Sequence, residues 1–397
     1  MISSRSIYRI LVLLLLAGGI VLCVVRWKAW FANPEEPLWE GDTIAYRFHT
    51  FGEETLDGFA KYEGAHSVVW QDLHEPDTLM FLLLGDVHNG IDSAHWAALA
   101  QRHPHLDFYA QLGDFIERGY FYYEQQLVSE LEGTLFEQLP IVCTPGNHEY
   151  RKGVVKRLPD LWYSVFPQPQ NGPYRFLGTT FYVDFPDLRL IAIDTNGLQR
   201  LSDYTIVNTW VRKALQEAGD RFTVVMMHHP VYSASSGRQN PLVYLTFRRV
   251  LQDADIVFAG HDHNYARRLP FIVTNSAKKF YMNKVNPKDT RICSGKQLYN
   301  IVTVNRTASH TCLPSTLTDT LCIETRLLET GELYDLVKVI HTPDTTLTDQ
   351  SDPRTFVKTY IEPMNDCPEI IELPEKYQGK NSRKVQRFLL KRASRTL

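Results

Sequence analysis

The chain lacks most of the features that would place it in a specialised structural class. Its 42 lysines and arginines nearly balance 45 aspartates and glutamates over 397 residues, leaving a formal net charge of -3. No overall charge excess draws it to nucleic acid, and none is expected as a partner. No internal repeat and no low-complexity tract is visible, so the 44% apolar, 22% charged composition reads as a folded globular chain. Its six cysteines include no Cys-x-x-Cys spacing, which excludes a thiolate zinc site of the usual kind. Four of them, Cys293, Cys312, Cys322 and Cys367, fall in the last third. They read either as one or two disulfides in an oxidising compartment or as buried thiols. A lone sequon, Asn305-Arg306-Thr307, decides nothing.

Long hydrophobic runs are also missing, with one exception. Residues 10–25 are uncharged and flanked by Arg5 and Arg9 on one side and Arg26 and Lys28 on the other. As a helix this run spans about 24 Å against a hydrocarbon core of ~30 Å, so the flanking arginines snorkel and Trp27, Trp30 and Phe31 sit at the interface. The shortness also suits a signal peptide, but cleavage after Ala29 or Ala32 would put Trp27 or Trp30 at the -3 position, where small residues are wanted. An uncleaved anchor over residues 1–32 is therefore expected. It makes the protein single-pass, with its large part on the non-cytoplasmic side, periplasmic or extracellular. Cys23 follows the bulky Leu22 and reads as an ordinary apolar membrane residue rather than a lipidation site.

Residues 33–78 look like a linker and irregular lead-in, too short for a further sandwich domain. From residue 79 the pattern changes to short apolar runs ending in Gly, Pro, Asp or His, separated by helical stretches such as 93–103 and 120–138. That alternation marks βαβ units and a mostly parallel sheet. Segments 298–304, 321–327 and 333–340 read as strands closing a second sheet, which ends the domain at 345. The extension 346–397 finishes in a basic stretch, 376–397, with eight Lys or Arg and no acidic residue. It reads as a solvated tail, or as an amphipathic helix in contact with anionic lipid.

Five apolar runs matter most: 79–84, 108–112, 139–143, 222–227 and 255–259. Each ends in a polar cluster: Gly85-Asp86-Val87-His88, Gly113-Asp114, Gly146-Asn147-His148-Glu149, His228-His229-Pro230 and Gly260-His261-Asp262-His263. Ligands in open α/β sheets bind beyond the carboxyl ends of the strands, so these loops should converge on one crevice. Carboxylate, imidazole and amide oxygen are the donors that hold borderline or hard divalent ions, and the glycines let the chain turn closely against them.

This ordered set resembles the calcineurin-like metallophosphoesterase superfamily, and within it the branch similar to purple acid phosphatases, over roughly residues 79–340. The resemblance implies an α/β fold, a four-layer αββα sandwich of two mixed sheets, here preceded by one N-terminal transmembrane helix. It further implies two divalent metal ions per chain, Mn, Zn or Fe. One would be held by Asp86, His88 and His263, the other by Asn147, His228 and His261, with Asp114 bridging. A hydroxide shared by ions ~3.5–4 Å apart would then attack phosphorus, hydrolysing a phosphate ester. His148 is implied as the catalytic residue on the leaving-group side.

His229 and Arg267 are possible substrate contacts; each also has a plain structural reading. Asp262 is expected to shape its loop or orient a liganding imidazole, and Asp194 to be structural. One departure stands out: three residues after Asp114, where the purple acid branch has a metal-binding tyrosine, this chain has Glu117. Without a phenolate, ordinary divalent ions are expected. The alternatives are a pyrophosphate or lipid-linked phosphate hydrolase at the membrane surface, or a non-catalytic, membrane-tethered metal-binding protein. The presence of all seven ligands argues against the last.

Overall fold

A computed structural model describes residues 78–88, 90–117, 135, 139–151, 155–281, 289, 291–293, 295–305, 319–343 and 356–361, with short strands at 49–50, 54–56 and 59–61. The expected anchor, most of the lead-in, the helical stretch 120–138 apart from Leu135, and the basic tail lie outside these residues. Among the described residues no helix is long and apolar enough to cross a membrane.

In chain order the strands are β1 (His49–Thr50), β2 (Glu54–Leu56), β3 (Phe59–Lys61), β4 (Thr78–Leu84), β5 (Phe108–Gln111), β6 (Pro140–Cys143), β7 (Phe181–Asp184) and β8 (Leu188–Ile193). They continue as β9 (Phe222–Met227), β10 (Ile256–Ala259), β11 (Tyr265–Arg268), β12 (Phe271–Val273), β13 (Arg291–Cys293), β14 (Leu298–Asn305), β15 (Thr320–Leu327), β16 (Leu333–Pro343) and β17 (Phe356–Ile361). The helices are α1 (Ser93–Arg102), α2 (Asp160–Val165), α3 (Leu201–Gln216) and α4 (Pro241–Phe247). Helix α1 starts where the Asp92 carboxylate accepts the His95 N–H at 3.1 Å. Asn240 caps α4 in the same way, with Pro241 pre-set at its first turn.

One sheet has the order β1-β6-β5-β4-β14-β15-β16-β17, the other β13-β11-β12-β10-β9-β8-β7. Each contains a parallel block, β1-β6-β5-β4 in the first and β12-β10-β9-β8 in the second, extended by antiparallel strands. Phe81 and Leu83 of β4 face the second sheet, in one core with Phe181, Leu190, Val224 and Phe258. Leu82 and Leu84 point the other way, against Trp96 and Leu99 of α1 and Trp162 of α2. The outer face of the second sheet, with Ile191, Val225 and Val257, is covered by Val207 and Val211 of α3 and Val243 and Phe247 of α4. Strands covered on both faces are mostly apolar, and β4 and β9 read that way apart from Thr78 and Thr223. The four layers are thus helices, sheet, sheet, helices.

Three expectations change. The strands 298–340 do not close a separate second sheet; β14 pairs antiparallel with β4, Asn300 opposite Leu83, and draws β15 and β16 after it. The reason is burial: β14 carries apolar side chains on both faces, Val302 and Val304 toward the inner core and Tyr299 and Ile301 toward α1, so it needs a covered place. The site-bearing strands accordingly divide between two sheets, β4, β5 and β6 in one and β9 and β10 in the other. Finally, β17 pairs with β16, which carries the sandwich to Ile361 rather than 345.

Candidate metal centre

The loops after β4, β5, β6, β9 and β10 meet at one end of the sandwich, and their backbone is unusual there. Asp86 (φ 43°), His88 (φ 42°), Asp114 (φ 55°), His261 (φ 68°) and His263 (φ 49°) all occupy the left-handed region. Non-glycine residues avoid it at a cost of order 1–3 kcal/mol each, and such strain gathers where function requires it. Close approach is enforced as well. Gly146 packs so tightly on Asp114 that a side chain there would collide with the carboxylate.

Glu149, fully buried, closes two of these loops together. Its carboxylate accepts the N–H groups of Asp114 (2.8 Å), Phe115 (2.7 Å), Ile116 (3.3 Å) and Gly146 (2.6 Å). Burial, then the nearby Asp114 charge, pushes Glu149 up to about 7. Asp262 plays a comparable part, accepting from Ser233 Oγ (2.8 Å) and the Ala234 N–H (2.6 Å). It therefore shapes its loop, and none of its described hydrogen bonds is to a liganding imidazole. Asp194 is buried and accepts the N–H groups of Asn196 and Gly197, a structural role.

The seven expected ligands come together. Asp86, His88, Asp114 and His263 form one group and Asp114, His228 and His261 a second, the donor atoms of each lying within 4.8 Å of one another. Asp114 belongs to both. Its Oδ2 is 3.3 Å from His88 Nε2 and 3.3 Å from His228 Nε2. Asn147 Oδ1 is 3.2 Å from His228 Nε2, which joins the amide to the second group. Three imidazoles are oriented by the backbone: Nδ1 of His88, His228 and His263 faces the carbonyls of Ile116 (3.1 Å), Leu112 (2.9 Å) and Lys279 (3.0 Å). A carbonyl only accepts, so each Nδ1 carries the proton and each Nε2 is left free to ligate.

The electrostatics ask for positive charge. Burial, followed by repulsion from Asp114, pushes Asp86 up to about 7. Its Oδ1 is buried and has no hydrogen bond among the described residues. Burial also opposes charge on His88 and His228, yet the Asp114 carboxylate outweighs it and holds both up at about 9. His263, buried beside His88, is pushed down to about 2. Two buried carboxylates among convergent imidazoles suit borderline divalent ions, so the donor set fits a metal pair with Asp114 shared.

His148 stands at the edge. Its Nε2 is 4.0 Å from Asp114 Oδ2, its Nδ1 meets the Glu117 carbonyl, and its side chain is 27% exposed. Glu117 itself points outward, 51% exposed, and puts no phenolate-like group among the donors. His229 is buried, with Thr195 Oγ1 3.0 Å from its Nδ1 and its ring 4.4 Å from that of His261. Arg267 is a correction. It is buried on β11 with Nε 2.8 Å from Asp335 Oδ2, facing the other sheet, so it reaches neither solvent nor substrate. Strand alternation explains this: Tyr265, two residues earlier on the same face, donates to the same carboxylate. Arg268, on the other face, lies over the Tyr232 ring.

The arginine that does reach the centre, Arg238, was not singled out by the sequence reading. It sits in the Ser235-Ser236-Gly237-Arg238 turn between two ligand segments, where no periodicity marks it. Cys322 is a free, half-buried thiol and Cys143 a buried one. Cys312 and Cys367 lie outside the described residues.

Residues 79–265 match the family model described as calcineurin-like phosphoesterase. The glycerophosphodiester phosphodiesterase GpdQ of Enterobacter lignolyticus (strain SCF1) is 28% identical over 149 residues, 36% of this chain and 50% of that protein. The chain thus spans about half the length of the curated relative it matches. Among solved structures, purple acid phosphatase PPD1 from yellow lupin (Lupinus luteus) seeds aligns over 66% of this chain and 53% of its own, at 14% identity and TM-score 0.49. GAP50, the anchor in the inner membrane complex of Plasmodium, aligns over 65% and 87%, at 14% identity and TM-score 0.45.

Proposed function

Residues 79–265 are a calcineurin-like phosphoesterase domain, and from that premise we propose that the chain hydrolyses phosphate esters at a centre of two divalent ions, Mn, Zn or Fe(II). Asp86, His88 and His263 hold one, Asn147, His228 and His261 the other, and Asp114 both. The observation that carries this reading is the sharing of Asp114 between two buried donor groups. When bound, such ions neutralise charge on the phosphoryl oxygens and make water more acidic.

The chain's own residues do the rest. Glu149 fixes the Asp114 and Asn147 loops, and the Asp114 carboxylate is further held by the His148 N–H at 2.8 Å from Oδ1. His148, with Nδ1–H on the Glu117 carbonyl, presents Nε2 toward the centre. A proton on Nε2 passes to the departing oxygen. Burial lowers the pKa of His148, so that proton is present chiefly below neutral pH. His148→Ala should therefore slow poor leaving groups more than good ones, and equal losses would remove the acid role.

The reading is tested by elemental analysis of the purified chain alongside hydrolysis of p-nitrophenyl phosphate and bis-p-nitrophenyl phosphate. About two ions per chain are expected, with turnover abolished by a chelator and restored by Mn, Zn or Fe(II). No bound metal, or turnover indifferent to chelation, overturns it. We also propose that residues 10–25 tether this domain at the non-cytoplasmic face of a membrane. Recovery of the full chain in carbonate-washed membranes supports that placement, and release into the soluble fraction refutes it.

A further inference from the structure

The loop after β9 turns at Gly237 (φ 74°) and sends Arg238 back over the centre. Its Nη2 donates to the His261 carbonyl at 2.7 Å. The same nitrogen is 3.2 Å from His261 Nδ1 and 3.0 Å from Nε2. One atom that near both ring nitrogens lies over the ring face and in line with neither lone pair, so it leaves ligation by the imidazole open. On its other side the guanidinium stacks on Tyr281, its Cζ 4.1 Å from the ring centroid, and the Tyr281 ring lies 4.7 Å from that of His263. Arg238 therefore spans the edge of both donor groups, touching a ligand of one and the neighbour of a ligand of the other. Its side chain is 24% exposed, so the cation faces the mouth of the site.

A second cation sits beside it. Lys279, exposed, places Nζ 5.0 Å from the centroid of the same Tyr281 ring, and its carbonyl is the one that orients His263. On the His88 and His148 side the rim carries the exposed carboxylate of Glu117 instead, 3.6 Å from His88 Nδ1. Among the described residues the mouth is thus polarised, basic over His261 and His263 and acidic near His148.

We infer that Arg238, supported by Lys279, is a specificity-determining residue that selects dianionic phosphate monoesters over monoanionic diesters; this rests on the phosphoesterase reading above. A monoester at neutral pH carries close to two negative charges, because its second pKa is about 6. A diester carries one. The guanidinium is a fixed cation at the mouth of the site, and its N–H donors beyond the one given to the His261 carbonyl suit a terminal phosphoryl oxygen. A diester has one terminal oxygen and one negative charge fewer, which weakens the charged contact. The Asp262 carboxylate, Oδ1 3.7 Å from Arg238 Nε with no hydrogen bond between them, favours the cation there by charge.

The test compares the metal-loaded full chain with its Arg238→Met and Arg238→Lys variants. Calorimetry with inorganic phosphate and with dimethyl phosphate gives a readout independent of turnover. Arg238→Met should weaken inorganic phosphate about tenfold more than dimethyl phosphate, with metal content retained, and Arg238→Lys should recover part of the difference. The kcat/KM ratio of p-nitrophenyl phosphate to bis-p-nitrophenyl phosphate should fall by a similar factor. Equal weakening of both anions, or no weakening of either, overturns the inference. A chain that binds ions but hydrolyses neither ester sinks the phosphoesterase reading while the titrations still decide the role of Arg238. A chain that takes up no ions sinks both.

Discussion

Two aspartate and histidine clusters occupy opposite ends of the same pair of strands. At the carboxyl ends of β9 and β10, His228 and His261 meet Asp114 across loops with left-handed backbone. At their amino ends, Asp255 lies just before β10, next to Thr223 of β9 and His341 of β16. Both clusters are buried, and they are made of the same residue types. Their hydrogen bonds differ. Asp255 is saturated: Oδ2 accepts the Thr223 N–H at 2.7 Å and its hydroxyl at 3.0 Å, while Oδ1 pairs with His341 Nε2 at 2.9 Å. At the other end the imidazole Nε2 atoms converge on carboxylates at 3.3–3.6 Å, and among the described residues Asp86 Oδ1 has no hydrogen bond. A set that closes on itself ties strands together, whereas a set left open and strained is shaped for something added.

If that distinction holds, substitutions at the two ends should fail differently, and the largest effect belongs to the shared carboxylate. Asp114→Ala removes a donor from both groups at once, so turnover should fall by about 10²–10³-fold or more, and metal content should drop with it. Turnover within a few-fold of the parent would break the comparison. Glu149→Gln comes next. It keeps the size of the side chain but weakens an acceptor that holds four N–H groups of two ligand loops. Metal affinity should fall about 10–100-fold, as for other groups that orient ligands from behind. Equilibrium dialysis against a chelator series checks this, and unchanged affinity would mean that the loops hold their shape without the clasp.

The gathering of the donor residues at one end was legible beforehand because a motif is a local signal. Each donor cluster follows an apolar run, four of the five through a glycine, and the order of the five pieces points to the chemistry. Non-local pairing was less visible. Nothing in residues 298–305 says that their partner is β4, more than 200 positions earlier, and the strands after them were assigned to the wrong sheet for that reason. Arg267 was misread because a strand's alternation decides which side chains are buried, and β11 became a strand only once its neighbours were known. Arg238 and the left-handed angles at Asp86 and His263 are properties of loops bent by tertiary contacts, which leave no period to read. The Asp255 cluster escaped notice for a further reason. Its members are drawn from three separate strands and an aspartate between them, each unremarkable alone.

That cluster supplies the smallest and most discriminating prediction. Lys358 of β17 lies 3.8 Å from Asp255 Oδ1 and donates to the Ala254 carbonyl at 2.7 Å, and Tyr360 donates to the Asp255 carbonyl at 2.8 Å. Asp255 is thus the point where the last described strand, the second sheet and His341 of the first sheet are joined. Asp255→Ala leaves the Thr223 N–H and hydroxyl and the His341 ring without their acceptor in a buried place. Leaving such groups unmatched costs about 1–3 kcal/mol, which in a domain of this size lowers Tm by several degrees at about 2–4 °C per kcal/mol. The metal centre lies at the other end of β9 and β10, so metal content and kcat/KM of the folded variant should match the parent. A thermal melt run beside a metal assay separates the outcomes. A lowered Tm with intact metal binding makes the amino-end cluster a tie and confines the chemistry to the carboxyl end. Loss of metal together with stability would mean that the two ends are coupled through β9 and β10, and that an open donor set depends on the closed one behind it.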